Sequence, residues 1–238
     1  MSGGGAEAAA PTVAVIRLSK TFTLHTQGGT RLPVLREVSV AVRAGECVVL
    51  ADPSGAGKST LLRSIYGNYR PQGGQILVRH GGGVVDMVRA EPRQVLEVRR
   101  RTMGYVSQFL RVVPRVPVVD VVAEPLREMG AEREAARARA REMLARLRIP
   151  ERLWTLSPVT FSGGEQQRVN VARVLVAGYP VLLLDEPTAA LDVASRRLVT
   201  ALIHEARAAG AAILGSLHDR EVRAEVADRV VSLDQVAG

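Results

Sequence analysis

The run Glu46 to Leu50 is short and apolar, and it leads into Ala-Asp-Pro-Ser-Gly-Ala-Gly-Lys-Ser-Thr (residues 51–60) and then into the helix-forming Leu61 to Ile65. A strand, a glycine-bearing loop and a helix that opens on Lys-Ser-Thr make a phosphate cradle, because loop N–H groups and the positive helix end point at one place. Ser54, Gly55, Ala56, Gly57 and Thr60 belong to that cradle. Lys58 is suited to reach the β- and γ-phosphates, and the Ser59 hydroxyl to ligate Mg2+. Asp52 stands where such a loop begins with glycine. Either it turns away and bonds the loop's own N–H groups, or it weakens nucleotide binding: at roughly 7 Å and an effective dielectric near 20, its repulsion of a phosphate charge is about 2 kcal/mol.

Val181 to Leu184 is a second apolar run and ends in Asp185-Glu186-Pro187. A buried strand that emits Asp at its C-terminal tip sets a carboxylate beside the phosphate loop of a neighbouring strand, where it holds Mg2+ directly or through water. Glu186 is then placed to polarise the attacking water. In Thr160-Phe-Ser-Gly-Gly-Glu-Gln-Gln-Arg168, the small residues Ser162, Gly163 and Gly164 precede a helix expected over Glu165 to Val176, which makes a second anion-binding helix start. Two such starts and one metal-binding carboxylate are too many for one nucleotide in one subunit.

In their order along the chain these segments resemble the ABC-type ATPases: the phosphate loop, the Ser162 to Gln166 signature, Leu184 to Pro187, Ala190-Leu-Asp192, and a late strand followed by His218-Asp219. The resemblance implies ATP and Mg2+ as ligands and a head-to-tail dimer, with itself or a sibling, in which each nucleotide lies between one subunit's phosphate loop and the other's Ser162, Gly163, Gly164 and Glu165. It also implies roles for single residues. Gln108 resembles the glutamine that touches Mg2+ and the attacking water, His218 the switch histidine at the γ-phosphate, and Asp192 the loop residue that crosses the dimer. Phe22 resembles the aromatic that stacks on adenine, with a core position as the other role open to it.

Further segments, among them Lys20 to His25, Ala44 to Leu50, Ser107 to Arg115 and Pro150 to Trp154, are similar to the PhnL-type ABC-like subunits of the bacterial carbon–phosphorus lyase system. This second resemblance implies ATP-dependent formation of a ribose methylphosphonate triphosphate in phosphonate catabolism, with other lyase subunits, PhnK among them, as partners. Two alternatives stand beside it: the nucleotide-binding subunit of an ABC transporter, and a non-hydrolysing ATP-dependent scaffold.

The elements that must position these residues follow from hydropathy. Val, Ile and Leu runs at 46–50, 104–107, 181–184, 211–216 and 230–233, with helix-like stretches between them, read as a largely parallel sheet in an α/β fold. Val13 to Leu18 and Val34 to Val42 alternate and read as antiparallel strands joined around Gln27-Gly28-Gly29. A helical subdomain spans about 114–178. Within it the charged, Ala-rich run before Pro150 shows one apolar face at Ala136, Met143, Leu144 and Leu147. Residues 1–12 read as a disordered tail and 13–238 as a single domain.

Composition narrows the field further. The chain has 238 residues and one cysteine, which excludes a disulfide framework and suits a reducing cytoplasm. No apolar run is long enough for a membrane span. The net charge is +8, and only Lys20 and Lys58 of the 32 cationic residues are lysine, so a compact ammonium is kept where a phosphate loop calls for one. The surplus lies mainly in residues 51–150. An aromatic content of 3% leaves few stacking platforms for bases, so nucleic acid is not expected as a partner.

Overall fold

The computed structural model describes residues 10–24, 26, 28–108, 110 and 114–233. In chain order the strands are β1 (Val13–Leu24), β2 (Thr30–Val42), β3 (Cys47–Leu50), β4 (Gly73–His80), β5 (Gly83–Asp86), β6 (Met103–Val106), β7 (Val181–Asp185), β8 (Ala212–Ser216) and β9 (Arg229–Val231). The helices are α1 (Lys58–Ile65), α2 (Pro92–Arg101), α3 (Val118–Glu128), α4 (Arg133–Arg146), α5 (Gly163–Leu175), α6 (Val193–Ala208) and α7 (Arg220–Val226). One sheet is antiparallel, in the order β2-β1-β4-β5, and the other is parallel, in the order β6-β7-β8-β3-β9.

The period-2 alternation of a strand sorts the parallel sheet into two faces. Cys47, Val49, Leu182, Leu184 and Ile213 join one apolar core with α3, α4, α5 and α6. Val48, Leu50, Val181, Leu183 and Leu214 join the other, where Leu61, Leu62 and Ile65 of α1 meet Val13, Val15 and Leu18 of the antiparallel sheet. Helix α1 is thus clamped between the sheets, which fixes the loop that precedes it.

Several expectations needed correction. The hairpin is present, but β1 continues past Leu18 to Leu24 because Thr21 and Thr23 find partners in Pro33 and Arg31. His25 and Gln27 lie outside the described residues, as do residues 1–9 of the expected tail. Pro11 and Thr12 are tied to the sheet: the Thr12 amide donates to Val42 O at 2.9 Å, and Arg79 Nε donates to Pro11 O at 3.1 Å. Strands β4 and β5 and helix α2 are not among the elements that hydropathy marks. Their sequence is interrupted by Gly73-Gly74 and Gly81 to Gly83, which hides the alternation of buried Ile76 and Val78.

In α4 the buried face is Ala136, Ala140 and Leu144, spaced by four residues, with Met143 only half-buried. Two of those three are alanines, which lets the helix approach its neighbours closely. Trp154 packs against the same core and donates from Nε1 to Ile149 O at 2.9 Å.

Candidate functional site

The phosphate loop turns on two glycines in the left-handed region, Gly55 (φ +86°) and Gly57 (φ +98°). Gly57 caps α1, and a Cβ there would stand 3.0 Å from Val34 Cγ1 and 3.1 Å from Val34 O, so only glycine fits beneath β2. Lys58 is 6% exposed and folds back on the loop, donating to Asp52 O at 2.6 Å and Pro53 O at 2.8 Å.

The Asp52 carboxylate turns away, but not onto the loop's own N–H groups. It accepts from the Ser232 hydroxyl at 2.5 Å and from the Leu233 amide at 2.9 Å, just past β9. Burial to 7% exposure explains the choice: a carboxylate removed from water needs donors, and the end of β9 presents two.

Asp185 is 1% exposed, and both its oxygens are engaged. Ser59 Oγ donates to Oδ1 at 2.8 Å, and the Tyr105 hydroxyl donates to Oδ2 at 2.9 Å. In the sequence Tyr105 stands out only as part of the strand-forming run 104–107. Burial, then the neighbouring Asp185 charge, holds its phenol well above the usual range. The register explains the meeting, since Tyr105 pairs with Leu183 across parallel strands, two residues short of Asp185 at the tip of β7.

Glu186 follows at φ +55°, a left-handed conformation that costs a non-glycine residue roughly 1–2 kcal/mol. Its amide donates to Ser216 O at 3.0 Å, and its carbonyl accepts from Gln167 Nε2 of α5 at 3.3 Å. Its Oε1 is 2.9 Å from His218 Nε2. Gln108 is exposed on the bend after β6, and Asn170 of α5 donates to the adjacent Ser107 O at 2.6 Å. Gln108 lines a groove with Tyr105, Arg63 and Tyr69.

Helix α5 starts at Gly163, two residues earlier than expected, because Ser162 is its cap. Ser162 Oγ accepts from the Glu165 amide at 3.3 Å, and Glu165 Oε2 accepts from the Ser162 amide at 2.9 Å. Bonds from the Ser162 hydroxyl, then the Ser162 amide, hold the Glu165 carboxyl below its ordinary value. This helix start is exposed. Asp192 caps α6 by accepting from the Ser195 amide at 2.7 Å, which also lowers its carboxyl. Asp219, next to His218, caps α7 and is bonded to Arg196 of α6, whose Nε donates to Leu191 O at 3.2 Å.

Phe22 is half-buried and belongs to neither core. It meets Tyr69 edge-on at 5.3 Å between centroids, with Lys20 Nζ 4.9 Å from its ring centre. Lys20 is half-buried and donates to Arg70 O at 2.9 Å. Cys47 is 1% exposed, its thiol pushed up to about 12 by burial.

The site's fit to a polyphosphate can be judged from α1 itself. Helices α2, α4, α5, α6 and α7 open on Glu91, Glu132, Ser162, Asp192 and Asp219, and α3 on Pro117 with Asp120 in its first turn, whereas α1 opens on Gly57 with neither a side-chain cap nor an acid in its first turn. Its positive end is left for an external anion. Among the described residues no group of three His, Cys, Asp or Glu side chains is placed to hold a metal. A divalent ion here would take the hard oxygens of Ser59 and Asp185 and fill its shell from water and phosphate, the arrangement suited to Mg2+.

The two-sheet α/β fold and this uncapped phosphate loop define an ABC ATPase domain. Residues 35–189 match the family described as ABC transporter, and the chain belongs to it. Lipoprotein-releasing system ATP-binding protein LolD of Maricaulis maris is 39% identical over 211 residues, 88% of this chain and 89% of that one. An ABC transporter ATP-binding protein of Mycobacterium tuberculosis, Rv0073, is 38% identical over 209 residues, which are 88% of this chain; the chain spans 62% of that relative's length. Among solved structures, the dimeric post-hydrolysis state of the ATP-binding cassette MJ0796 bound to ADP and Pi superposes with a TM-score of 0.84 at 28% identity, covering 94% of this chain and 95% of that one. These relatives bear the names of transporter components, and the expected carbon–phosphorus lyase membership finds no support among them. No described helix is long and apolar enough to cross a membrane.

Proposed function

We propose that the chain is the ATP-binding and ATP-hydrolysing subunit of an ABC transporter of the LolD kind, working as a head-to-tail dimer against a membrane-embedded partner. The observation that carries the reading is the uncapped start of α1 beside the 2.8 Å pair Ser59–Asp185. The relatives' names and the dimeric state of the MJ0796 cassette support it. They favour the transporter over the carbon–phosphorus lyase subunit with PhnK as partner, to which only sequence segments point.

In this mechanism Lys58 releases Asp52 O and Pro53 O and turns its ammonium to the outer phosphates of ATP, while the N–H groups of residues 54–60 close round the inner ones. Ser59, Asp185 and Gln108 would hold Mg2+, which when bound would neutralise charge on the phosphate oxygens. Glu186 orients water and takes its proton, and His218 holds that carboxylate and meets the γ-phosphate. Phe22 flanks the base. Ser162, Gly163, Gly164 and Glu165 complete the site of the opposing subunit, and Asp192 lies at the crossing.

The test is affinity capture of the tagged chain from solubilised membranes, with ATP turnover measured in the captured complex. Recovery of an integral membrane partner and ATP-dependent turnover is expected. Recovery of phosphonate-cleaving subunits in its place overturns the transporter reading.

A further inference from the structure

Tyr105 is the one side chain at the Asp185 carboxylate that neither the resemblance nor the proposed mechanism uses. Its surroundings fix what it does. A carboxylate oxygen can only accept, so the Tyr105 hydroxyl gives its single hydrogen to Asp185 Oδ2, at 2.9 Å. The other carboxylate oxygen accepts from Ser59 of α1 at 2.8 Å. Tyr105 and Ser59 thus each hold one oxygen of Asp185, binding the ends of β6 and β7 to the start of the phosphate-loop helix.

This pairing of donors has an energetic reason. Asp185 is 1% exposed, and a carboxylate so placed needs a donor on each oxygen. When Ser59 turns its oxygen to a metal, the bond to Oδ1 is given up and Tyr105 is the donor that remains. The tyrosine ring lies 5.1 Å from the ring of Tyr66, at the end of α1.

We propose that Tyr105 is a positioning residue for the divalent cation: it holds Asp185 by Oδ2 so that Oδ1 faces the metal shared with Ser59. This rests on the reading of Asp185 as a metal ligand. Ligating carboxylates that lose such an outer partner lose about 10–100-fold in metal affinity.

The experiment uses Mn2+ as the probe, with AMP-PNP, read by electron paramagnetic resonance on the full chain, its Tyr105→Phe variant and its Asp185→Asn variant. Tyr105→Phe keeps the ring and removes one oxygen. Expected are a ~10–100-fold weaker Mn2+ affinity in Tyr105→Phe and unchanged AMP-PNP binding in EDTA, a split that a general loosening of the fold does not produce. Unchanged Mn2+ affinity, or equal loss of Mn2+ and of metal-free nucleotide binding, overturns the inference while leaving the site reading intact. If Asp185→Asn binds Mn2+ as well as the parent does, the site reading fails and the inference falls with it.

Discussion

His218 Nε2 stands 2.9 Å from Glu186 Oε1, so the residue after β7 and the residue two past the end of β8 share one contact. Glu186 is held there from three sides, by Ser216, Gln167 and His218. Glu186→Gln preserves the shape and removes the base. Phosphate-release assays should show a turnover ~10²–10⁴-fold lower with ATP binding retained. A rate like the parent's would remove Glu186 from the reaction.

Asp52 was the one residue in the loop whose carboxylate threatened nucleotide binding. With both oxygens occupied by Ser232 and Leu233, Asp52→Gly should not bring a large gain in ATP affinity. It should destabilise the fold by ~1–3 kcal/mol, because two donors lose a buried acceptor. Calorimetry should record a Tm lower by ~2–4 °C for each kcal/mol. An unchanged Tm with much tighter ATP binding would reverse this reading.

Gly57→Ala sets a Cβ against Val34 and forces a left-handed backbone on alanine. The variant should lose ~1–3 kcal/mol of stability and most of its nucleotide affinity, since the loop shifts. Gly55→Ala is the comparison, because nothing lies within 4 Å of its Cβ position. Its strain is similar and its crowding absent, so chemical denaturation should rank it as the milder of the two.

Cys47 supplies a pH dependence. Its folded-state value is raised from 9.0 to about 12 by burial, so the protonated thiol stabilises the fold fully below pH 9. Between pH 9 and 12 the unfolded thiol ionises and the folded one does not, so stability falls by about 1.4 kcal/mol per pH unit from this group. Alkylation at pH 9.5 should therefore label the urea-unfolded chain quickly and the native chain slowly. Equal rates would contradict the burial.

Much of the site was legible because its chemistry is local in the chain. Lys58 and Ser59 follow their glycines directly, Ser162 and Glu165 cap one helix turn, and Asp185-Glu186 end one strand. The unread contacts join distant residues through register. Tyr105 meets Asp185 across 80 positions, and Asp52 meets Leu233 across 181. No periodicity carries such information, since it depends on which strand lies beside which. The order β6-β7-β8-β3-β9 becomes known only when the sheet is built.

The carrier of the phosphate loop has its own mechanical consequence. β3 is bonded along one edge to β8 and along the other to β9, and its alternate residues are sealed into separate cores. A strand with both edges taken opens only when the whole domain opens, so its amides belong to the slowest-exchanging set. Recoil at the loop therefore cannot be absorbed by fraying of its support. It travels outward into both sheets, and the four residues from Cys47 to Leu50 act as an anvil rather than a hinge.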